Sequence, residues 1–429
     1  MNRICLCLPT NRACSATIAA LHAEAAYATD RFGADVQLLI LDSSDDRTRA
    51  EHARTVAALP PVPQVTVHHL DEYAQRVFLL RTIERAGLPD PDRLLRLMLP
   101  PAVSYGACTN RAFLLAAALG CTSLHRRDSD STYQLHAGQP VFPVHHELPY
   151  LGRPATEAAR AVTRTDLPPE LLRRPVSLAG ASFIGELSVD IGEIRRLDEG
   201  VYHDVVSLWA PGDWPEERKR DLVEESFTGA GTAPFTGDHS TLTLVDPMRV
   251  DMCNIAFDRT VYERIPLPPA TDTIGSDYFL LHLIHDARLP GILHNRHIEN
   301  FHTPERRTDT GFPAYQRRFV KFLLSMLYFH DVYGRMATEG TGLLDERHRI
   351  RADRIVELLR ESTALDRTEN VWRLDRIDTA YRKLGGRYAV LADRLAEERA
   401  RLLDEAESDI KAFADLAEAW SALVEAARA

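Results

Sequence analysis

The chain has 429 residues, of which 45% are hydrophobic and 26% charged, as in an ordinary globular protein, and its net charge is -11 at pH 7. This charge excludes a general nucleic-acid binder, which needs a basic surface. No apolar run approaches the roughly 20 residues that span a bilayer, and the first apolar segment is too short for a signal peptide. We therefore expect a cytoplasmic protein that binds neither nucleic acid nor membrane.

Alternating strands and helices are predicted over the first third of the chain. Residues 3–9, "RICLCLP", form a short apolar run that ends at a proline, which is typical of a strand buried on both faces. An alanine-rich helix follows and should end at Gly33. Residues 34–46, "ADVQLLILDSSDD", predict a second buried strand that runs into an acidic turn. Strand, helix and strand at this spacing indicate a βαβ unit and therefore a parallel sheet.

The same pattern continues up to a second acidic turn. A strand is predicted at residues 64–71, helices follow it, and the strand "CTSLHRR" then runs directly into Asp128-Ser129-Asp130. In a doubly wound sheet, ligands bind beyond the carboxyl ends of the strands. We therefore expect three strand ends to face one crevice, at residues 9–12, 42–46 and 128–130.

The second half of the sequence begins with an irregular, proline-rich stretch. A strand is predicted within residues 175–191, whereas residues 200–245 have the glycine, proline and threonine of long loops. Part of that stretch, residues 211–239, is a candidate cover for a bound ligand. Residues 273–295 predict a helix and then a strand. From about residue 313 onwards the pattern is almost wholly helical and indicates a packing or dimerising region.

The pair Asp128 and Asp130 has one residue between its members. Because unpaired buried charge is costly, these carboxylates should either face water or meet a cation. Spacing alone does not decide between these outcomes, since Asp90 and Asp92 share it in a position between two helices where helix capping is a sufficient explanation.

The residues around this pair are more informative. Residues 104–131, "SYGACTNRAFLLAAALGCTSLHRRDSDS", resemble the segment of GT-A-fold glycosyltransferases in which a Gly-x3-Asn-Arg helix start precedes a strand and an Asp-x-Asp motif. The runs "LPTNR" and "LLILDSSDD" look like the first two strand ends of that fold, which hold the nucleotide. The residues that match the motif are Gly106, Asn110, Arg111, Gly120, Asp128 and Asp130.

The resemblance covers roughly residues 1–305 and implies an α/β fold. It predicts a GT-A-like, Rossmann-type and mostly parallel sheet flanked by helices over residues 1–312. The nucleotide-binding half would be residues 1–135 and the acceptor half residues 136–312. An α-helical C-terminal region would follow at residues 313–429, with a homodimer through its helices as a further expectation.

The resemblance also implies which residues bind the donor and a metal. Asp42 would accept a hydrogen bond from the base, with a turn or helix cap as the alternative. Arg111 would approach the diphosphate or sugar, with a surface arginine as the alternative. Mg²⁺ or Mn²⁺ would bridge the two phosphates, held by Asp128, Asp130 and His302. The full set of donor-binding residues that we predict is Pro9, Thr10, Arg12, Asp42, Asn110, Arg111, Arg127 and Asp128.

Two further positions match the family downstream. Asp277, in "TIGSDYFLLHL", corresponds to the acidic residue near the acceptor and would be the general base of an inverting reaction. Capping of the helix that follows is the alternative explanation. His302, in "NFHT", is preferred over His294 and His297 as a metal ligand, and its presence favours retention slightly over inversion.

Arg126 and Arg127 depart from the family, in which the strand before the acidic pair is normally apolar to its end. The two arginines either hold a diphosphate without a metal or engage a negatively charged acceptor. Alternatively, they pair with the aspartates and leave the site altered or inactive.

Taken with the resemblance, these features predict a glycosyltransferase that moves a sugar from a nucleotide-sugar donor to a small-molecule acceptor, in specialised metabolism. A nucleotidyltransferase is one alternative, but it should have a glycine-rich loop after the first strand, and "PTNRACSAT" has no glycine. A non-catalytic GT-A-like binding or scaffold protein is the other.

Overall fold

The computed structural model describes residues 2–301 and 308–429. The strands are β1 (Arg3–Thr10), β2 (Asp35–Asp42), β3 (Val65–Asp71), β4 (Ser123–Arg127), β5 (Ser131–Tyr133), β6 (Leu135–His136), β7 (Gln139–Pro140), β8 (Arg164–Thr165), β9 (Leu178–Gly180), β10 (Phe183–Gly185), β11 (Ser240–Thr243), β12 (Asn254–Asp258), β13 (Gly291–His294) and β14 (Ile298–Asn300). The helices are α1 (Ser15–Phe32), α2 (Asp46–Ala58), α3 (Glu72–Ala86), α4 (Pro91–Met98), α5 (Tyr105–Ala118), α6 (Val144–Glu147), α7 (Ala155–Ala158), α8 (Gly192–Leu197), α9 (Glu199–Val206), α10 (Glu216–Glu225), α11 (Arg259–Tyr262), α12 (Phe279–Asp286), α13 (Gly311–Glu339), α14 (Ala352–Ser362), α15 (Thr368–Leu384), α16 (Gly386–Glu397) and α17 (Arg399–Arg428).

Within the described residues, the central sheet has nine strands in the order β3-β2-β1-β4-β12-β9-β13-β11-β8. Strand β1 pairs in parallel with β2 and β4, and β2 pairs in parallel with β3. Strand β12 runs antiparallel to both β4 and β9. The predicted class, a mostly parallel α/β sheet flanked by helices and followed by a helical C-terminal region, is confirmed.

The first strand is buried on both faces, as its continuous apolar run predicts. Ile4, Leu6 and Leu8 point to the layer that contains α1. Cys5 and Cys7 point to the other side, into a core that also includes residues of α3, α5 and the C-terminal helices. The period of two along a strand therefore divides the helices into two layers.

Predicted helix ends agree with the structure where glycine adopts the left-handed conformation. Gly33 follows α1 with φ of 63°, and Gly87 follows α3 with φ of 61°. Only glycine adopts this conformation without strain, so the chain turns away from the helix at both positions.

The C-terminal helices share one apolar core with the sheet. Helix α17 packs on α3, α5, α13 and α14. Its Trp420 is fully buried and donates its indole N–H to the carbonyl oxygen of Tyr262 at 2.8 Å. The apolar stripe of α17 is thus covered within the same chain, and a homodimer through these helices stays a prediction.

The segment at residues 200–245 was predicted as loop but contains most of α9, all of α10 and β11. Helix α10 has the sequence "EERKRDLVEE", in which Val223 is the one buried residue. A helix with so little apolar surface has no detectable apolar stripe, which is why the pattern missed it. None of the helices in the described ranges combines the length and the apolar character needed to cross a membrane.

Candidate active site

The carboxyl ends of β1 and β4 open into a cavity of about 1210 Å³. Pockets for small ligands commonly measure roughly 300–1,000 Å³, so this cavity has room for more than one small ligand. Residues from the strand ends at 9–12 and 128–130 line it, whereas of the predicted stretch 42–46 only Ser43 does. The predicted site residues that line the cavity are Pro9, Thr10, Arg12, Arg111, Asp128, Asp130 and Asp277.

Arg126, on β4, joins two of the acidic residues. Its Nη1 donates to Oδ2 of Asp277 at 2.6 Å, and its Nη2 lies 3.1 Å from Oδ1 of Asp128. Arg126 is 2% exposed. Burial opposes its charge, but the two carboxylates raise the pKa of Arg126 above its ordinary value. The guanidinium therefore holds Asp128 and Asp277 in a fixed relation.

Asp277 lies in a short 3-10 turn, Ser276–Tyr278, directly before α12. The residue at the N-cap position of α12 is Tyr278, and no side chain caps this end. Capping of α12 therefore does not explain Asp277. Asp277 as a whole is 4% exposed, and it lines the cavity.

The second aspartate of the pair is held from the neighbouring strand end. Arg12, just after β1, donates from Nη1 to Oδ2 of Asp130 at 2.6 Å. The hydroxyl of Thr10 donates to the carbonyl oxygen of Arg12 at 3.0 Å and steadies this turn. Asp128 and Asp130 are thus both ion-paired with arginines. Of the two arginines that the sequence placed beside the pair, Arg126 contacts Asp128, and Arg127 contacts neither aspartate. Whether this pairing leaves the site altered or inactive stays a prediction.

The acidic pair supplies oxygen ligands of the kind that Mg²⁺ and Mn²⁺ prefer. Burial raises the pKa of Asp128 to about 6, while Arg126 opposes this rise and Asp130 adds to it. A divalent cation would favour the ionised form of Asp128, but it would have to share the carboxylates with Arg12 and Arg126. Two carboxylates meet the sparse requirement of Mg²⁺, which takes its other ligands from phosphate and water.

His302, the predicted third metal ligand, lies outside the described residues. Within residues 2–301 and 308–429, clusters of three side chains that could hold a metal occur away from the acidic pair. One is Asp42, His52 and His69, and the other is His145, His146 and Asp238. Asp238 already forms two hydrogen bonds with the guanidinium of Arg296, which leaves that cluster a poor cation site.

Arg111, on α5, is a buried cation with neutral partners. Its Nε donates to Oε1 of Gln75 and its Nη1 to the carbonyl oxygen of Met98, both at 2.7 Å. Arg111 is 5% exposed, and burial lowers its pKa. In the described part of the chain, no carboxylate lies within 4.0 Å of it, nor of the exposed Arg76 and Arg96 that line the same cavity. These three arginines mark an anion-binding side of the cavity.

Gly106 and Asn110, the other residues of the Gly-x3-Asn-Arg motif, hold a neighbouring segment in place. A Cβ atom at Gly106 would lie 1.9 Å from the carbonyl oxygen of Pro268. Asn110 donates from Nδ2 to the carbonyl oxygen of Leu267 at 2.8 Å and accepts from the Leu267 N–H at 2.7 Å. Asn110 is fully buried and both ends of its amide are engaged, so the predicted contact with the donor is not available in this structure. The motif instead clamps the segment that leads to Asp277.

Asp42 is also turned away from the cavity. Its Oδ2 accepts from Nδ1 of His52 and from Nε2 of His69, each at 2.8 Å, and its Oδ1 accepts from the N–H of Ser44 at 3.0 Å. Burial alone would raise the pKa of Asp42, but the hydrogen bonds from His69, Ser44 and His52 lower it overall. Asp42 is 1% exposed, so the predicted hydrogen bond to a base is not available in this structure.

Arg127 points to the opposite side of β4 from Arg126. Its Nη2 donates to Oε1 of Glu24 and to Oε2 of Glu147, both at 2.8 Å, and the residue is 1% exposed. Consecutive residues of a strand face opposite sides, so only one of the two arginines reaches the cavity. Arg127, the residue predicted to bind the donor, faces away from the cavity in this structure, whereas Arg126 lines it. Positions 126 and 128 share a face, which is the sequence signal that identifies Arg126.

Helix α13 forms one wall of the cavity, which the sequence analysis did not anticipate. Its contributions recur at three- and four-residue spacing and therefore lie on one stripe. The pattern could not distinguish a stripe that lines a cavity from one that packs in a core. The cavity-lining residues of α13 are Tyr315, Arg318, Phe322, Met326, His330, Tyr333, Gly334 and Ala337.

The predicted cover, residues 211–239, also borders the cavity. Trp214 lines it, and the guanidinium carbon of Arg218 lies over the Trp214 ring, 3.4 Å from the ring centroid. Arg218 belongs to the basic run "EERKR", which forms the start of α10. Closure of this segment over a ligand stays a prediction.

The model of a protein family of unknown function, DUF6271, matches residues 2–429. A search of curated proteins finds no relative of this chain. Among solved structures, glucosyl-3-phosphoglycerate synthase from Mycobacterium tuberculosis, in complex with Mn²⁺, UDP and phosphoglyceric acid, is similar at 18% identity, with a TM-score of 0.35 and coverage of 76% of this chain and 78% of that chain.

Two more solved structures are similar to parts of this chain. A mannosyltransferase from Pyrobaculum calidifontis in complex with GDP-Man and Mn²⁺ is 12% identical, with a TM-score of 0.35 and coverage of 97% of this chain and 86% of that chain. Mouse xyloside xylosyltransferase 1, in its apo form, is 12% identical, with a TM-score of 0.22 and coverage of 60% and 67%. At these identities and TM-scores, the similarity transfers no substrate, metal or mechanism to this chain.

Proposed function

The chain belongs to the family of unknown function DUF6271, and we propose that it is a glycosyltransferase that moves a sugar from a nucleotide-sugar donor to a small-molecule acceptor. One observation carries this proposal. A single cavity at the ends of parallel strands contains Arg111, a buried cation with no carboxylate within 4.0 Å among the described residues, and the acidic pair Asp128 and Asp130. Glu72, which lines the same cavity, interacts with Arg111 only from a greater distance. Buried charge without a close counter-charge is costly, and a diphosphate would supply a directly bonded anion.

Different residues of the cavity would bind different parts of the donor. Arg111, together with Arg76 and Arg96 at the surface, would bind the diphosphate through charge-assisted hydrogen bonds. Thr10 and Arg12 would border the nucleoside at the end of β1. Mg²⁺ or Mn²⁺ held by the acidic pair would add positive charge that stabilises the departing diphosphate.

Asp277 and Arg126 would fix the geometry on the acceptor side of the donor. One carboxylate oxygen of Asp277 is already engaged by Arg126 at 2.6 Å. We favour retention, because the acid that an inverting reaction would use as its base is held in an ion pair. In this role Arg126 is a positioning residue that keeps Asp128 and Asp277 at a constant separation while the donor binds.

Nucleotide binding without transfer is the second candidate function. The observation that favours it is that arginines engage both aspartates of the pair, as would suit a site that has lost its metal. The two candidates share the donor site and differ in turnover, so one set of proteins tests both.

Binding of the diphosphate is tested by calorimetry with UDP and GDP, each with and without Mn²⁺. We expect at least one nucleotide to bind and to raise the melting temperature, and Arg111→Met to weaken its binding at least tenfold. Asp92→Ala serves as the control, because Asp92 is exposed and lies outside the cavity. Absence of binding by both nucleotides, with and without Mn²⁺, would contradict the proposal.

Transfer is tested by a screen of nucleotide-sugars for consumption of the donor, with Asp130→Ala and the control Asp92→Ala. Both variants remove the second aspartate of an Asp-x-Asp spacing, but only Asp130 lines the cavity. We expect metal-dependent turnover that Asp130→Ala lowers by more than tenfold and Asp92→Ala leaves unchanged. Turnover that survives both EDTA and Asp130→Ala would remove the metal from the mechanism, and binding without turnover would identify the second candidate.

A further inference from the structure

We propose that the acceptor is a planar aromatic alcohol, and that it binds against an aromatic wall formed by Trp209, Phe227 and Phe322. This inference rests on the proposed function, since it names the acceptor of that reaction. The three side chains come from two distant parts of the sequence and all line the cavity.

The rings of the aromatic wall are arranged for contact with a flat molecule. Trp209 and Phe227 are stacked, with centroids 5.2 Å apart and planes at 16°. Phe322, on α13, meets Trp209 edge-on, with centroids 5.7 Å apart and planes at 60°. Phe322 is 5% exposed, whereas Trp209 and Phe227 are only half-buried. Ring surface that stays accessible from a cavity is apolar area that a ligand can cover.

The aromatic wall lies next to the acidic residues. A Cβ atom at Gly275 would lie 2.8 Å from Cε2 of Phe322, so the Phe322 ring contacts the backbone there. Gly275 stands two residues before Asp277, which Arg126 connects to Asp128. An acceptor on the wall would therefore have its hydroxyl close to the end of the cavity where the donor binds.

The surroundings of the wall favour an aromatic alcohol over a sugar. A sugar has many hydroxyl groups, and each needs a hydrogen-bond partner when it loses water. The lining of the cavity as a whole is more apolar than polar, although charged side chains such as Asp251 and Arg318 also border it. The apolar residues that line it, besides the aromatic wall, include Val189, Val250, Met252, Ile274 and Met326. A molecule with one hydroxyl and an apolar face loses least on entering such a site.

In the transfer that follows from this placement, one bond to the anomeric carbon forms and one breaks. The acceptor oxygen forms a bond to the anomeric carbon, and the bond from that carbon to the diphosphate oxygen breaks. The nucleoside diphosphate leaves with the electron pair of that bond. In the retaining course that we favour, the hydroxyl proton passes to the departing diphosphate oxygen.

The test uses naphthalen-2-ol as the aromatic probe and methyl α-D-glucopyranoside as the sugar probe, added to the full chain with UDP or GDP and Mn²⁺. Calorimetry measures the Kd of each probe and of the nucleotide. We expect saturable binding of naphthalen-2-ol, and a Kd at least tenfold higher in Trp209→Leu and in Phe227→Leu. The control is Trp372→Leu, because Trp372 is 45% exposed on α15 and lies outside the cavity.

The nucleotide Kd shows whether each variant is folded. It also tests the proposed function separately from the proposed aromatic acceptor. If the Trp209→Leu and Phe227→Leu variants still bind nucleotide but lose naphthalen-2-ol, the aromatic wall is supported. If they bind naphthalen-2-ol as well as Trp372→Leu does, or if the sugar probe binds more tightly than naphthalen-2-ol, the inference is overturned. Binding of naphthalen-2-ol without binding of any nucleotide would overturn the proposed function, and with it the role as acceptor, while the aromatic wall would stand as a binding site for an aromatic molecule.

Discussion

Arg126 and Arg127 are the same residue type, adjacent on one strand and almost fully buried, yet they belong to different parts of the molecule. Arg127 is enclosed by Glu24 and Glu147 on the face of β4 away from the cavity. Arg126 meets Asp128 and Asp277, which both border the cavity. Burial and charge alone therefore do not identify a functional arginine. What distinguishes the two is whether their carboxylate partners remain accessible to a ligand.

The largest expected effect is on stability, in Arg127→Met. Removal of the guanidinium leaves the buried carboxylates of Glu24 and Glu147 without the cation that they share, which costs about 3–5 kcal/mol of unfolding free energy. The hydrogen bonds that remain, from Tyr133 and the Val144 N–H to Glu24 and from His125 to Glu147, offset only part of this loss. The measurement is chemical denaturation at neutral pH. A loss below about 1 kcal/mol would show that water reaches this cluster. Arg127 would then contribute no more to stability than Arg126, contrary to what we expect.

A smaller loss of stability is expected for Arg126→Met, about 2–3 kcal/mol, because Asp128 is partly exposed to the cavity and can be hydrated. Turnover of a nucleotide-sugar should fall at least tenfold, since Asp277 loses the group that positions it. Denaturation and donor consumption are measured on the same preparation. Wild-type turnover in this variant would show that Arg126 has only a structural role, like Arg127.

The smallest effect is expected for Asn110→Ala. Asn110 and Arg111 repeat the comparison on α5, because the first faces the core and the second lines the cavity. Loss of the two hydrogen bonds to Leu267 should cost about 1–2 kcal/mol of unfolding free energy. The nucleotide Kd from calorimetry should stay within twofold of wild type, whereas a tenfold increase would restore the donor-binding role that the sequence suggested.

Much of the fold could be predicted because it depends on local periodicity. Local sequence patterns indicate the buried run of β1, the helix ends at Gly33 and Gly87, and the helical C-terminal region. The helix α10 could not be predicted in this way, since its residues are nearly all polar and its single buried side chain forms no apolar stripe. Local patterns thus predicted the elements that bury apolar surface and missed one that does not.

The site was only partly predictable, for a different physical reason. Thr10, Arg12 and the acidic pair lie close together as predicted, because β1 and β4 are parallel and their carboxyl ends meet at the same edge of the sheet. Orientation failed where hydrogen-bond partners come from distant residues, as with Asp42 and its two histidines. The cavity wall contributed by α13 depends on how the chain returns over the sheet, and no local pattern contains that information.

The close approach of Gly106 to Pro268 has a consequence for comparing members of the DUF6271 family. Because a Cβ atom at position 106 would overlap the carbonyl oxygen of Pro268, any member with a larger residue there must route the following segment differently. Such a member would have to move Pro268 and with it the start of the segment that leads to Asp277. The residue at position 106, which does not itself line the cavity, therefore indicates whether a member can keep this path of the chain.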